Sequence, residues 1–428
     1  VTTGVQNTLI GGLAGDALTE GGNNVALGFE ALSTEDTGGR NIAIGYRALK
    51  FANYDGNAYN IAVGYDAGNA VTTGQLNTLI GGLAGYNLTT GHNNVAVGMQ
   101  ALENEDEHGY NVAVGNEALQ TLNAGANAYN VAVGFQAGHL MTTGTQSTII
   151  GGLAGDALTT GGNSTLVGYA AGSAQTIASY NTAVGHAALA QNVAAQFNVA
   201  IGNNALYAMT AATSTDTYNV AVGHNAGLSV STGIKNTLIG GQAGDALTTG
   251  SYNVAVGSEA LSTEDGHGAN VAIGYRSLKA LNAGAEGYNV AIGYEAGKSL
   301  STGTNNTIIG GLAGDALTIG NNNIAIGYST LGAETLGDRN VAIGNFALQV
   351  QNNTSNNDIY NTAVGYAAGN AMTTGTTNTL IGGLAGDALT EGNSNVAIGY
   401  LSLSAETLGD RNVAVGLGAL AAQNNTSD

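Results

Sequence analysis

The string "NTLIGG" opens at Asn7 and is written again at Asn77, Asn236 and Asn378, with small changes at Ser147 and Asn306. Softer echoes run between these copies, each with an Asn or Ser four residues before a Gly. The anchors fall at 7, 24, 41, 60, 77, 94, 111, 130, 147, 164, 181, 198, 219, 236, 253, 270, 289, 306, 323, 340, 361, 378, 395 and 412. The step is 17 residues, stretched to 19 or 21 by insertions just before the next anchor, as in "NAGANAYN" and "NNTSNNDIYN". A fixed step with insertions at one place describes stacked copies of one unit whose extra residues bulge at one corner.

Across the 24 units the Gly four after the anchor never changes, and the anchor is Asn in all but two, Ser147 and Ser164. Seven residues after the anchor stands Ala, replaced only by Ser277, Thr330 and Ser402. Such dense Gly beside Val and Ile excludes helix, since each helical Gly costs about 1 kcal/mol relative to Ala. "NVAVG" reads as a short strand bounded by Asn and Gly. A second strand is expected over segments such as "FEALS" and "LAGDALT", with "TTG" turning the chain back. Two strands and two turns fill a 17-residue coil, and coils stack about 4.8 Å apart. The expected fold is all-β: a parallel β-solenoid, or β-roll, of about 24 coils. It is expected to run through residues 1–428 as one continuous array roughly 115 Å long. Both ends fall inside a coil, because Val1-Thr-Thr-Gly matches the coil tail Val71-Thr-Thr-Gly, so a piece of a longer array is expected.

Each column has a physical reading. Asn7, Asn24, Asn41, Asn60, Asn77 and Asn94 form a structural ladder whose amides hydrogen-bond from coil to coil. Gly11, Gly28, Gly45, Gly64, Gly81 and Gly98 supply positive φ or close backbone approach. Ala14, Ala31, Ala48, Ala67 and Ala84 imply a thin interior between two nearly touching sheets. In "NVAVG", Val and Val lie on one face and Ala, or Leu in "TLIG" units, on the other. Strands apolar on both faces are covered on both, whereas a lone roll covers one. Association of three chains along the axis is therefore expected, against a monomer whose Ala faces water.

Composition narrows function. Despite 69 Gly, 43% hydrophobic residues and 19 Tyr oppose disorder. A charge of −20, from 29 acids against nine bases, excludes nucleic acid and anionic membrane surfaces as natural partners. Cysteine is absent, which removes disulfides and thiolate metal sites. No apolar run reaches the roughly 18 residues of a membrane-spanning helix, so no membrane insertion is expected.

Repeats such as "YNVAIGYEAG" and "NTAVGYAAG" resemble the head repeats of trimeric autotransporter adhesins, which form left-handed trimeric parallel β-rolls. They are also similar to repeats of bacteriophage tail fibres and bacterial surface proteins. The resemblance covers essentially the whole chain and implies a left-handed homotrimer. It departs from the adhesin heads in its 17-residue period, since theirs is commonly 14, and in lacking a coiled-coil stalk or membrane anchor.

Candidate chemistry is sparse. Acidic clusters recur in the corner loops at Glu35 and Asp36, at Glu103, Glu105, Asp106 and Glu107, and at Glu264 and Asp265. Two "AETLGDRN" copies add Glu334, Asp338, Glu406 and Asp410. Converging carboxylates could hold calcium, with Glu35, Asp36, Glu105, Asp106, Glu264 and Asp265 as candidate ligands; the plainer reading is a solvated corner that keeps the coil stack soluble. "GGLAGDALT" departs from calcium-binding β-roll nonapeptides in register, and Tyr86 once replaces its Asp, so this Asp is expected to cap a turn. The six His share no metal-ligand spacing, and no catalytic motif is present. Tyr columns before the anchor and after the Gly pack a corner or stack on sugars. Adjacent Thr in "LTTG" raises ice binding, although a flat ice-binding array needs T-x-T.

The expected function is non-enzymatic and requires no cofactor: a structural extracellular fibre on a virion or cell surface, with a cell-surface glycan or protein as receptor. The alternatives are a head-to-tail filament subunit, an ice-binding solenoid and a polysaccharide-degrading solenoid enzyme.

Overall fold

A computed structural model describes residues 1–211, 213–355 and 357–424. The chain falls into two compact units, Val1–Tyr218 and Asn219–Asp428. The first stacks twelve three-residue coil strands, from Thr8–Ile10 to Val199–Ile201. The second stacks another twelve, from Val220–Val222 to Val413–Val415. Within each unit neighbouring strands are parallel and in register: Thr8 faces Val25 and Val25 faces Ile42, while Val220 faces Thr237 and Thr237 faces Val254. The described residues contain no helix. The fold is an all-β parallel β-solenoid of about 24 turns with 17-residue spacing.

The second strand expected in each coil is not there. "FEALS" and "LAGDALT" curl as successive turns. The cause lies in the backbone, where Glu30 (φ 54°) and Leu32 (φ 50°) are left-handed, as are Arg276 (φ 56°) and Leu278 (φ 48°) in the second unit. Such residues cost about 1–2 kcal/mol each when not Gly. They persist because the curled segment hydrogen-bonds to the coil above, as Leu32 N–H does to Ala48 O at 3.0 Å. The Ala column is buried, with Ala31, Ala48, Ala67 and Ala84 inaccessible to solvent. It lies within the curled turns themselves, not on a second strand. The insertions gather at one corner, where Ala195–Gln196 and Thr215–Asp216 form a small parallel pair in the first unit.

The Asn ladder is built from side chain to backbone. Asn24 N–H donates to Asn7 Oδ1 at 2.9 Å, and Asn41 N–H donates to Asn24 Oδ1 at 2.9 Å. Asn60, Asn77 and Asn94 continue it at 3.1, 3.0 and 3.0 Å. In many coils the Nδ2 meanwhile closes its own coil: Asn7 Nδ2 reaches Gly21 O at 2.7 Å, and in the second unit Asn236 Nδ2 reaches Gly250 O at 2.9 Å. One buried amide thus satisfies backbone groups in two layers, which holds strand register. At Ser164 the link lengthens to 3.4 Å, since Ser147 offers only a short hydroxyl. The Gly column meets both of its requirements at once. Gly11 has φ 132°, and a Cβ there would lie 2.5 Å from Gly28 O.

Candidate functional site

The acidic corners behave differently from solvated loops. Glu35, Glu105, Glu264, Glu334 and Glu406 are all completely buried. They occupy the inward position that Leu18, Leu88 and Leu247 hold in other coils. Each carboxylate accepts backbone N–H groups. Glu264 takes His267 N–H at 3.1 Å from its own corner and Ala283 N–H at 3.0 Å from the next coil. Glu35 takes Gly38 N–H at 2.8 Å and Tyr54 N–H at 3.4 Å. Glu334 also accepts from Gln351 Nε2 at 2.9 Å and Asn353 Nδ2 at 3.0 Å. Burial pushes the Glu35 and Glu105 carboxyls above the ordinary range, with the backbone donors opposing it. The solvated-corner expectation is therefore corrected for these glutamates: they clamp the insertion corner from inside, where its backbone donors would otherwise be orphaned.

Their neighbours stay nearer solvent, with Asp36 and Asp106 half-buried and Asp265 exposed. Asp36 Oδ1 accepts Thr37 N–H at 2.7 Å, a local turn bond. Two corners bring an acid pair and a His together, Glu105–Asp106–His108 and Glu264–Asp265–His267, each set of ligand atoms lying within 4.8 Å. The sequence missed both His because no fixed His spacing exists in the chain. In each set the buried Glu is already engaged by backbone N–H groups, and His Nδ1 stands 3.5 or 3.6 Å from Glu Oε1. These residues form a hydrogen-bonded corner before they form a cation cage.

In "GGLAGDALT", burial raises the Asp156, Asp245, Asp315 and Asp387 carboxyls. The expected turn cap is not seen at Asp156: its Oδ1 is buried without a hydrogen-bond partner, and Ala157 N–H donates to Ser173 O at 3.3 Å. Beside this column runs a charged ridge in which Glu30 binds Arg47 at 2.9 Å and Lys50 at 2.8 Å. The first Thr of "LTTG" and of its variants "VTTG", "MTTG" and "LTEG" spends its hydroxyl within the stack. Thr72 Oγ1 donates to Thr89 O at 3.3 Å and Thr89 Oγ1 to Asp106 O at 2.9 Å. Thr373 and Thr390 repeat this in the second unit at 3.1 and 3.0 Å.

Aromatic columns stack coil upon coil. Tyr46 and Tyr65 lie 5.2 Å apart at 8°, and Tyr180 and Phe197 lie 4.9 Å apart at 1°. The strand itself settles which face is core. Its central residue, Ala26, Leu79, Ala113 or Ala255, is wholly buried. The flanking Val and Ile point outward: Ile10 is 58% exposed, and Ile80, Ile239 and Ile381 are each close to 40%. The arrangement in which Ala faces water is therefore overturned, and the larger residues form the outer apolar stripe.

No described helix is long and apolar enough to cross a membrane. Comparison with protein-family models finds no match, and comparison with curated proteins finds none either.

Proposed function

We propose that this chain is the shaft of an extracellular fibre, of the phage tail-fibre or surface-adhesin kind, assembled as a homotrimer. It serves as a spacer that offers repeated attachment points to a cell-surface glycan or protein. The observation that supports it most is the outer strand face, where Val and Ile recur in coil after coil. A row of half-exposed β-branched residues on a parallel sheet is an interface that awaits cover. Three copies laid together along that row would bury it continuously. Repeated coils across three chains would then multiply any weak contact into useful avidity.

The alternatives have less support. The hydroxyls of the first "LTTG" threonines are consumed along the stack, which weighs against an ice-binding array. The coils are near-copies, and a catalytic cleft needs one that is unlike the rest.

The test is mass and form. Sedimentation equilibrium should give three times the 42.3 kDa chain, and electron micrographs should show slender particles. Val97→Lys with Val256→Lys, two charges on the outer row, should release monomers that keep the β-rich circular dichroism of the parent. A parent that sediments as a monomer at micromolar concentration sinks the trimer. Cleavage of a polysaccharide, abolished by one point substitution, would replace the fibre with an enzyme.

A further inference from the structure

The column that directly follows the strand-ending Gly is an aromatic ladder with rungs missing. In the second unit it reads His224, Gly241, Ser258, Tyr275, Tyr294, Gly311, Tyr328, Asn345, Tyr366, Gly383, Tyr400, Leu417. Tyr275 and Tyr294 stack with centroids 5.5 Å apart at 24°. Tyr275, covered by its neighbour, is 36% exposed, whereas Tyr294, which faces Gly311, is 56% exposed. The rung carries no side chain, and one wall borders it directly: a Cβ on Gly311 would touch only the Tyr328 ring, at 3.5 Å, and one on Gly383 only the Tyr400 ring, at 3.4 Å. In the first unit Gly152 lies between Phe135 and Tyr169 in the same way, with the Tyr169 ring at 3.6 Å.

These glycines are not demanded by the backbone. None of the three has a left-handed φ, and other coils carry Tyr, Asn, Ser or Met at the same position. Every "NTLIGG"-type coil nonetheless has Gly there. At Gly152, Gly311 and Gly383 the second Gly of "GG" leaves a rung without a side chain between two aromatic ones.

We infer that Phe135–Gly152–Tyr169, Tyr294–Gly311–Tyr328 and Tyr366–Gly383–Tyr400 are slots that each sandwich one neutral pyranose ring of a glycan. The inference rests on the reading of the chain as an attachment fibre, and deepens it by naming the ligand class and its residues. Two coil steps separate the walls by about 10 Å. A ring midway sits about 5 Å from each wall, within the range over which ring faces attract one another or a C–H-bearing face. Charge selects the sugar: a net −20 repels sialylated or uronic-acid chains. A cationic ligand finds little uncommitted acid beside the Gly311 slot, because Glu295 is already bound by Lys298 at 2.6 Å. The two slots of the second unit lie four coils apart, about 19 Å, so one glycan chain or two can engage them.

The full chain should be retarded in native gels cast with a soluble neutral β-glucan. Filling all three rungs (Gly152→Tyr, Gly311→Tyr, Gly383→Tyr) should weaken retardation at least tenfold. Gly241→Tyr, at a rung without aromatic walls on both sides, should leave it unchanged. Matching circular dichroism and sedimentation would show that the filled variant folds and assembles like the parent. Tyr294→Ala with Tyr328→Ala should lower retardation without adding bulk. Absence of retardation of the parent, or equal retardation of the filled variant, overturns the inference. So does release by choline chloride at constant ionic strength, which would mark a cation site. A changed oligomeric state in the filled variant overturns it as well, by assigning the slots to a second copy. Parent fibres that stay intact while glucan binding fails would leave the fibre reading standing.

Discussion

Gly85 and Leu79 fit one another as a pair: a Cβ on Gly85 would lie 2.8 Å from Leu79 Cδ2. In coils centred on Ala26 and Ala96 the position matching Gly85 is instead a buried Leu, Leu32 or Leu102, at φ 50° or 51°, whereas Ala62 keeps a Gly there, Gly68, whose place is taken by Leu79 and Leu49 of the adjoining coils. The core volume of one coil is thus divided two ways. Leu79→Ala should cost about 2–5 kcal/mol through the cavity it leaves, and Gly85→Leu about 1–3 kcal/mol through overpacking. The double variant, which converts one coil type to the other, should cost less than the sum by about 0.5–3 kcal/mol. Denaturant melts of the four proteins measure this coupling. Strict additivity would mean the two residues do not share one volume.

Asn94 accepts Asn111 N–H at 3.0 Å and donates to His108 O at 3.1 Å. Asn94→Ala orphans both and should destabilise by about 2–6 kcal/mol, at about 1–3 kcal/mol for each unsatisfied group. Asn94→Ser should cost less, since Ser147 and Ser164 already occupy this column. Thermal melts should rank wild type, Ser and Ala in that order.

The buried glutamates make a second ranking. Glu264→Leu would fill the space yet leave His267 N–H and Ala283 N–H without their acceptor, for a loss of about 2–4 kcal/mol. Glu264→Gln keeps one acceptor oxygen and should lose about half as much. Hydrogen exchange at Ala283 should accelerate in the Leu variant and much less in the Gln variant. Unchanged exchange in the Leu variant would remove the clamp from the account.

Stability should fall as pH rises above the ordinary carboxyl range. Burial raises the carboxyls of Glu35, Glu105, Asp156, Asp245, Asp315 and Asp387 in the folded chain. The folded state therefore binds protons more tightly than the unfolded one. Stability from this source is full below the ordinary carboxyl range and is lost as pH climbs through the raised values. Glu30, Glu259 and Glu295 shift the other way, through hydrogen bonds chiefly to Lys50, Lys279 and Lys298, but they are solvent-screened surface pairs that contribute little. The self-repulsion of −20 acts in the same sense as the buried acids. Melting temperature should be higher at pH 5 than at pH 8, and the reverse order would contradict the burial of these groups.

The period, the strand after each Asn and the in-register parallel stacking were legible from residue identity alone. A solenoid repeats its contacts in one dimension, so the chemistry of Asn7, Asn24 and Asn41 prints directly into a column. The curl in place of the second strand was not legible, because nothing in "FEALS" marks Glu30 and Leu32 for the left-handed backbone that non-glycine residues seldom adopt. Only the close spacing of the coils makes left-handed turns at Glu30 and Leu32 worth their cost. Nor did sequence reveal that Glu35 and Glu264 turn inward while Val25 and Ile80 turn out. A carboxylate goes where unpaired backbone donors point, and a strand has no intrinsic inside. Both directions were decided by the path of the corner around the core, which exists only once the coils are stacked.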